Sequence, residues 1–175
     1  MFSEIGPDKL IDEQARTEYD LIRTHMLKSG YEHYEISAFC KTGRRSRHNS
    51  GYWERKEYIG VGSSASSFYR ERRWRNTEVI GEYCAQPSAG INCLEKYPVL
   101  DTEQRAVETI MLGLRRISGV SRQLIDELCL PHLPNLRKRL EQYLCDGFLV
   151  EISGTIAISA DHLFISDSII EGLVS

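Results

Sequence analysis

The sequence predicts a mixed α/β chain in two unequal parts. An unfinished α/β layer covers residues 1–76, a helical α+β unit covers residues 101–175, and residues 77–100 connect them. Three observations point there. A helical spacing of apolar residues is followed by the alternating stretch YEHYEIS and then by the glycine-bearing YIGVG. Apolar stripes at helical spacing resume after Asp101. Near the end, FLVEI and TIAIS flank Ser153 and Gly154, the pattern of a tight hairpin.

Each element has its own signal. Residues 8–29 read as a helix, with Asp8 or Asp12 as cap, Leu10, Ile11, Ile22, Met26 and Leu27 at helical spacing, and Gly30 as stop. Residues 31–37 alternate at period two and read as one strand, and residues 58–68 begin as a buried strand and dissolve into small residues. One helix and two strands cannot cover both faces of a parallel sheet, so this layer needs either the rest of a larger domain or a second copy. Residues 77–85 read as a short helix. In the last part, Asp101 and Gln104 form a capping pair ahead of the stripe Val107, Ile110, Met111, Leu114 and Ile117. Ser121 caps a short helix with Leu124, Ile125 and Leu128. Pro134 opens a third, with Leu136, Leu140, Tyr143 and Leu144 facing inward and Gly147 ending it. A final helix over residues 161–173 carries Leu163, Phe164, Ile169, Ile170 and Leu173. This helix, helix, hairpin, helix order is similar to a winged-helix arrangement.

Composition narrows the function classes. With 41% hydrophobic and 27% charged residues among 175, the chain has the make-up of a globular protein. No apolar run approaches the roughly 20 residues that cross a bilayer, and the acidic start MFSEIGPDKLIDE lacks the order of a secretory signal, so a cytoplasmic location is expected. The five cysteines, at 40, 84, 93, 129 and 145, have neither zinc-site nor disulfide-framework spacing and read as reduced thiols. Charge is uneven. Residues 41–75 hold ten basic and three acidic side chains, a net of +7, so the remainder carries −10 to give the total of −3. Such a stretch suits an anionic partner, or arginines paired with acidic neighbours.

Within that stretch lies RHNSGYW, residues 47–53, which reads as a loop placing an imidazole, a carboxamide and two large aromatics together. Imidazole can bind heme iron, aromatic faces can stack on a macrocycle, and arginines can pair with its carboxylates. The bland reading is a hydrogen-bonded loop histidine with Tyr52 and Trp53 as anchors. The following GVGSSAS has glycines at alternate positions, which permit close backbone approach of a ligand or simply of a strand. It is not the full dinucleotide fingerprint, and no G-x-S-x-G is present. His25, His33, His132 and His162 have no partner at metal spacing.

The block YEHYEISAFCKTGRRSRHNSGYW, followed by EYIGVGSSASSF, resembles the C-terminal half of the oxygen-independent coproporphyrinogen III oxidase family of radical SAM proteins. HNSGYW fits the HNxxYW element of its heme-chaperone branch, the HemW-like proteins. MLGLRR and LFISDSII resemble the same family's C-terminal domain. The resemblance implies the closing part of an incomplete radical SAM (β/α) barrel up to about residue 70, then the appended winged-helix-like domain. It implies a heme contact at His48, within a motif that includes Asn49, Tyr52 and Trp53. It places Ser66, after the candidate ligand-contacting glycines Gly60 and Gly62, on the S-adenosylmethionine side, Ser66 standing where the family more often has histidine or isoleucine.

Members of that family hold a [4Fe–4S] cluster on a CxxxCxxC triad, since three thiolates leave one iron open for S-adenosylmethionine. This sequence contains no such triad. Neither cluster nor radical chemistry is therefore expected of this chain alone. The leading expectation is the C-terminal portion of a heme chaperone that binds heme and passes it to a haem-receiving protein. The alternatives are a coproporphyrinogen III oxidase whose catalytic half lies elsewhere, and a winged-helix-like nucleic-acid-binding module. Nucleic acid is not the favoured partner, because the arginines lie far in sequence from the helix that would enter a groove.

Overall fold

The computed structural model describes residues 7–85 and 95–175. Helix α1, Pro7–Lys28, opens on a proline suited to the first helical turn and runs through Asp8 and Asp12, so neither is its cap. The side chains of residues 7–12, including Leu10 and Ile11, lie outside the described ones, as do Cys93 and residues 86–94 of the connector.

The stretch read as one strand is a hairpin. Strand β1, Glu32–Glu35, pairs antiparallel with β2, Ala38–Cys40, with an irregularity between His33 and Glu35. The chain turns at Ile36 because its polar groups are engaged elsewhere. Ile36 N–H donates to the Arg115 carbonyl at 3.1 Å, and the Ile36 carbonyl accepts from the Tyr19 hydroxyl at 2.7 Å. Ile117 N–H in turn donates to the Tyr34 carbonyl at 3.2 Å. The outer edge of β1 is thus closed by the segment around Arg115–Ile117, which removes one of the open edges read from the sequence.

A second correction concerns residues 58–68. At its start only Tyr58 pairs in ladder fashion, exchanging N–H···O bonds of 2.8 and 2.9 Å with Phe68. The strand instead occupies the small-residue end: β3, Ser66–Tyr69, pairs antiparallel with β4, Arg72–Arg75. Its turn residues Arg70 and Glu71 both sit at positive φ, 48° and 56°, a conformation that glycine or asparagine adopts with less strain. Two bonds hold this turn: Arg70 N–H donates to the Glu57 carboxylate at 2.9 Å, and the Glu71 carbonyl accepts from Leu100 N–H at 2.7 Å. The unfinished α/β layer therefore takes the form of two antiparallel hairpins rather than parallel strands.

Helix α3, Ile80–Ala85, precedes the undescribed connector. Helix α4, Thr102–Gly113, has the reciprocal capping box of Asp101 and Gln104. A short strand β5, Val120–Ser121, leads into α5, Arg122–Leu124, continued by a π-turn over Ile125–Cys129. Helix α6, Leu136–Cys145, starts just after Pro134 and Asn135. Strands β6, Leu149–Ile152, and β7, Thr155–Ile158, form the hairpin on Ser153 and Gly154, both at positive φ (51° and 75°). Strand β5 joins it as a third strand in the order β5-β7-β6. The last helix is split into a 3-10 turn, Ala160–Ile165, and α7, Ser166–Val174. The buried core cluster draws on α4, the π-turn, α6, β7 and α7, with Ile110, Ile125 and Ile156 fully inaccessible. No helix among the described residues is long and apolar enough to cross a membrane.

Candidate functional site

RHNSGYW is a helix, not a loop. Helix α2, Arg47–Trp53, begins at Ser46, whose hydroxyl accepts from Asn49 N–H at 3.2 Å. Helical spacing then puts His48 and Tyr52, four residues apart, on one face. Their rings meet edge-on at 4.7 Å, and the Tyr52 hydroxyl lies 2.8 Å from His48 Nε2. Trp53 is anchored by a different set of partners. Its indole N–H donates to the carboxylate of Glu35, a buried residue of β1, and Arg115 stacks on its ring at 5.6 Å. This anchors the helix to the first hairpin.

The chain beyond α2 folds back to face it. Tyr58 packs edge-on against Tyr52 at 4.5 Å. Gly60 is pressed onto β3, where a Cβ would stand 2.2 Å from the Ser66 carbonyl oxygen. Gly60 N–H donates to the Ser67 hydroxyl at 2.9 Å, and the Asn76 amide donates to the carbonyls of Gly60 and Gly62 at 3.2 and 2.8 Å. Gly62 sits at φ 109° and donates its N–H to the Tyr83 hydroxyl at 2.9 Å. Between these segments lies a cavity of about 590 Å³. His48, Tyr52 and Trp53 line it from α2, Gly60 and Ser66 from the opposite side. Its volume is in the range of small-molecule sites.

Asn49 and Gly62 are not among the lining residues: the first serves the Ser46 cap through its backbone, the second the packing of Tyr83 and Asn76. The sequence reading missed Tyr58, Arg73 and Leu112, which also line the cavity. Tyr58, just before the IGVG run, could have been suspected as a third aromatic. Arg73 was hidden in the basic run, and Leu112 reaches the site only through the docking of α4.

Half of that basic run, five of its ten cations, is paired with carboxylates. Arg45 pairs with Glu32 at 3.4 Å, Arg75 with Glu78 at 3.0 Å, and Lys56 with Glu54. The Lys56 ammonium, hydrogen-bonded to Glu54, holds that carboxyl below its usual range. Arg55 bridges Glu71 at 2.7 Å and Glu108 at 3.1 Å. Arg73 forks onto both oxygens of Glu108 and donates to the Tyr58 hydroxyl at 3.3 Å. Burial disfavours the Arg73 charge, yet the Glu108 carboxylate outweighs it and keeps the guanidinium above its ordinary value. Among the described cysteines, Cys84 and Cys145 are exposed while Cys40 and Cys129 are buried, and burial pushes the Cys129 thiol up to about 11. No group of three potential metal ligands occurs among the described residues.

The mixed helix-and-sheet fold has a counterpart among solved structures. The solved coproporphyrinogen III oxidase (HemN) of Escherichia coli, a radical SAM enzyme, superposes with a TM-score of 0.63 at 14% identity, over 97% of this chain and 42% of that one. In sequence, the heme chaperone HemW of Lactococcus lactis is 35% identical over 102 residues, which is 58% of this chain and 26% of that protein. HemW of Bacillus subtilis is 31% identical over 120 residues, 66% of this chain and 30% of the relative. No family model matches the sequence. The chain is thus similar in sequence to curated heme chaperones HemW and in fold to HemN. It spans 24–40% of the length of the curated relatives it matches.

Proposed function

We propose that this chain is the porphyrin-holding portion of a heme chaperone, binding heme as cargo in the α2 cavity before its transfer to a haem-receiving protein. The observation that carries this is the convergence of His48, Tyr52, Trp53, Gly60 and Ser66 on one cavity. The residues present fit such a cargo. An imidazole and a phenol provide ligands that iron accepts. Gly60, packed flush against β3, forms part of the wall, and Tyr58 and Trp53 offer aromatic surface.

In the same reading, residues 1–76 are the closing part of an incomplete barrel, residues 77–100 a connector, and residues 101–175 the winged-helix-like domain. Exposed apolar side chains of the first part support this: Leu21 is 65% exposed, Ile22 58% and Val61 86%, a surface suited to the remainder of the barrel or to a second copy. The chain's own cysteines do not fit a [4Fe–4S] cluster, because none of their spacings gives the CxxxCxxC triad. No radical step is assigned to it, and Ser66 keeps its place on the S-adenosylmethionine side only as part of this proposal. The nucleic-acid alternative loses support from the carboxylates that occupy Arg45, Arg55, Arg73 and Arg75.

Hemin titration followed at the Soret band tests the proposal. Saturable one-to-one binding is expected, weakened about tenfold or more in His48→Ala, as for loss of a group at a metal site. The exposed His25→Ala serves as the control and is expected to be neutral. Equal curves for wild type and His48→Ala would exclude this cavity as the heme site.

A further inference from the structure

We propose that the chain carries a second binding site, for a small organic carboxylate with an apolar body, in a cavity that shares only Trp53 with the α2 cavity. This second cavity holds about 400 Å³, a volume suited to a small molecule. Three arginines from different parts of the chain border it: Arg55 just after α2, Arg105 on α4, and Arg116 beyond the end of α4. Much of the remaining wall is apolar, with Val120 of β5, Leu124 of α5 and Leu128 of the π-turn. Leu124 is left 41% exposed although it stands beside a hydrophobic core. Guanidiniums over an apolar wall are what an anion with a hydrophobic body requires.

The charges around the cavity do not balance. Arg55 bridges Glu71 and Glu108, and Arg73 takes both oxygens of Glu108. Arg105 Nε is buried without a hydrogen bond, 3.5 Å from the same Glu71 oxygen that Arg55 already holds. Lys56 pairs with Glu54; its hydrogen bond is the main cause of that carboxyl's lowered range, burial opposes it, and the charges of Lys56 and Arg116 add to it. Arg116 donates to the Gly119 carbonyl at 2.9 Å, its Nε is buried without a partner, and it forms no ion pair with the described residues. Three carboxylates, Glu54, Glu71 and Glu108, thus serve five cations, Arg55, Lys56, Arg73, Arg105 and Arg116, an excess of two positive charges. Where water is partly excluded, such an excess favours an anion more than it would in bulk solvent. Arg116, the cation with no carboxylate of its own, is the group a ligand carboxylate would meet. Glu54 also lines the cavity, and its negative charge counts against a dianion more than against a monocarboxylate.

Titration of the full chain with octanoate, followed by amide NMR shifts without hemin, tests this. One-to-one saturation is expected, with the shifted amides around Trp53, Arg116 and Leu124. Octanamide is the neutral counterpart of octanoate, and acetate lacks its apolar body. Each should bind at least about tenfold more weakly, a comparison that needs no variant to fold. Arg116→Gln should weaken octanoate about tenfold or more and leave octanamide unchanged, as for loss of a hydrogen bond to a charged group. Leu124→Ser should weaken both by about fivefold, through lost apolar contact. Arg45→Gln, outside the cavity, should change neither. Equal binding of octanoate and octanamide would overturn the proposal, as would a folded Arg116→Gln protein that binds octanoate like the wild type. Shifts centred on α1 or on the α2 cavity, or titration without saturation, would overturn it too.

Discussion

Residues 102–174 and residues 13–85 are stabilised by different means. The former share one continuous core to which helices α4, α6 and α7 and strand β7 all contribute. The latter bury few apolar side chains, Tyr34, Cys40, Phe68 and Trp74, and leave Leu21, Ile22, Val61 and Ile80 facing water. What they have in place of a core is attachment. Phe68 lies under the guanidiniums of Arg55 and Arg73, at 5.2 and 4.4 Å, and both arginines are tied to Glu108 of α4. The cavity is built on this attached region, so its shape depends on a carboxylate that lines none of it. The contrast teaches that a site can borrow its rigidity from a neighbouring core through an ion cluster.

Breaking that cluster should give the largest effect. Glu108→Ala leaves Arg73 without a carboxylate and Arg55 with Glu71 alone, their side-chain exposures being 31% and 15%. Removing one partner of a fully buried pair costs 3–5 kcal/mol; residual solvent screening reduces this to about 2 kcal/mol here. Both tryptophans, Trp53 and Trp74, lie in the attached region, so their fluorescence reports on it alone. In urea, the fluorescence transition of Glu108→Ala should move to lower concentration and separate from the far-ultraviolet dichroism transition of the helical core. Coincident transitions would mean that the two regions form one cooperative unit and that the attachment is not the weak point.

The exposed apolar face offers a milder perturbation. Leu21→Ser with Ile22→Ser changes two solvent-facing positions and should alter stability by less than about 0.5 kcal/mol per site. It should nonetheless reduce self-association measured by sedimentation equilibrium, because those side chains are the apolar surface that a second copy would cover. Unchanged association constants would show that copies do not meet through α1.

How far all this was legible follows from the kinds of signal involved. The capping box of Asp101 and Gln104 and the Ser153-Gly154 turn were readable because each is a local chemical pattern with a single structural outcome. The grouping of His48 with Tyr52 was implicit in their spacing, although the segment read as a loop. Its N-cap, Ser46, is an ordinary serine in a basic run, and a seven-residue helix shows no apolar period. The β3–β4 hairpin was hidden for a different reason. Its turn is made by Arg70 and Glu71 in a left-handed conformation that costs on the order of 1 kcal/mol or more per residue. No glycine or asparagine announces it, and distant partners hold it, among them Leu100 and Arg105. Likewise Gly60 and Gly62 read as a strand, whereas close contact with β3 and Asn76 fixes them as a packed loop. Local chemistry was legible, and tertiary attachment was not.

The smallest expected effect probes the same attachment from the α1 side. His33 of β1 lies flat on Phe39, with ring centroids 4.3 Å apart, and its Nε2–H donates to the Ile36 carbonyl at 3.1 Å. The other ring nitrogen, Nδ1, is buried without a partner, so a proton added there would find no acceptor. Burial accordingly lowers the imidazole below its usual 6.5. The Ile36 carbonyl opposes this in part, the nearby Arg23 charge adds to it, and a backbone bond from Glu35 opposes it again. The sign follows from the neutral ring being favoured in the fold. The unfolded chain binds the proton more readily, so the contribution of His33 is complete above about pH 6.5 and is lost as pH falls through the lower folded value. Thermal melts at pH 7 and pH 5 should therefore differ more for the wild type than for His33→Gln, which keeps a donor for Ile36 but does not titrate. The part of the difference owed to this one half-buried ring is on the order of 1–2 °C for a chain of this size. If the two proteins lose stability equally on acidification, the acid sensitivity arises elsewhere and the hairpin's seat on α1 does not depend on a neutral His33.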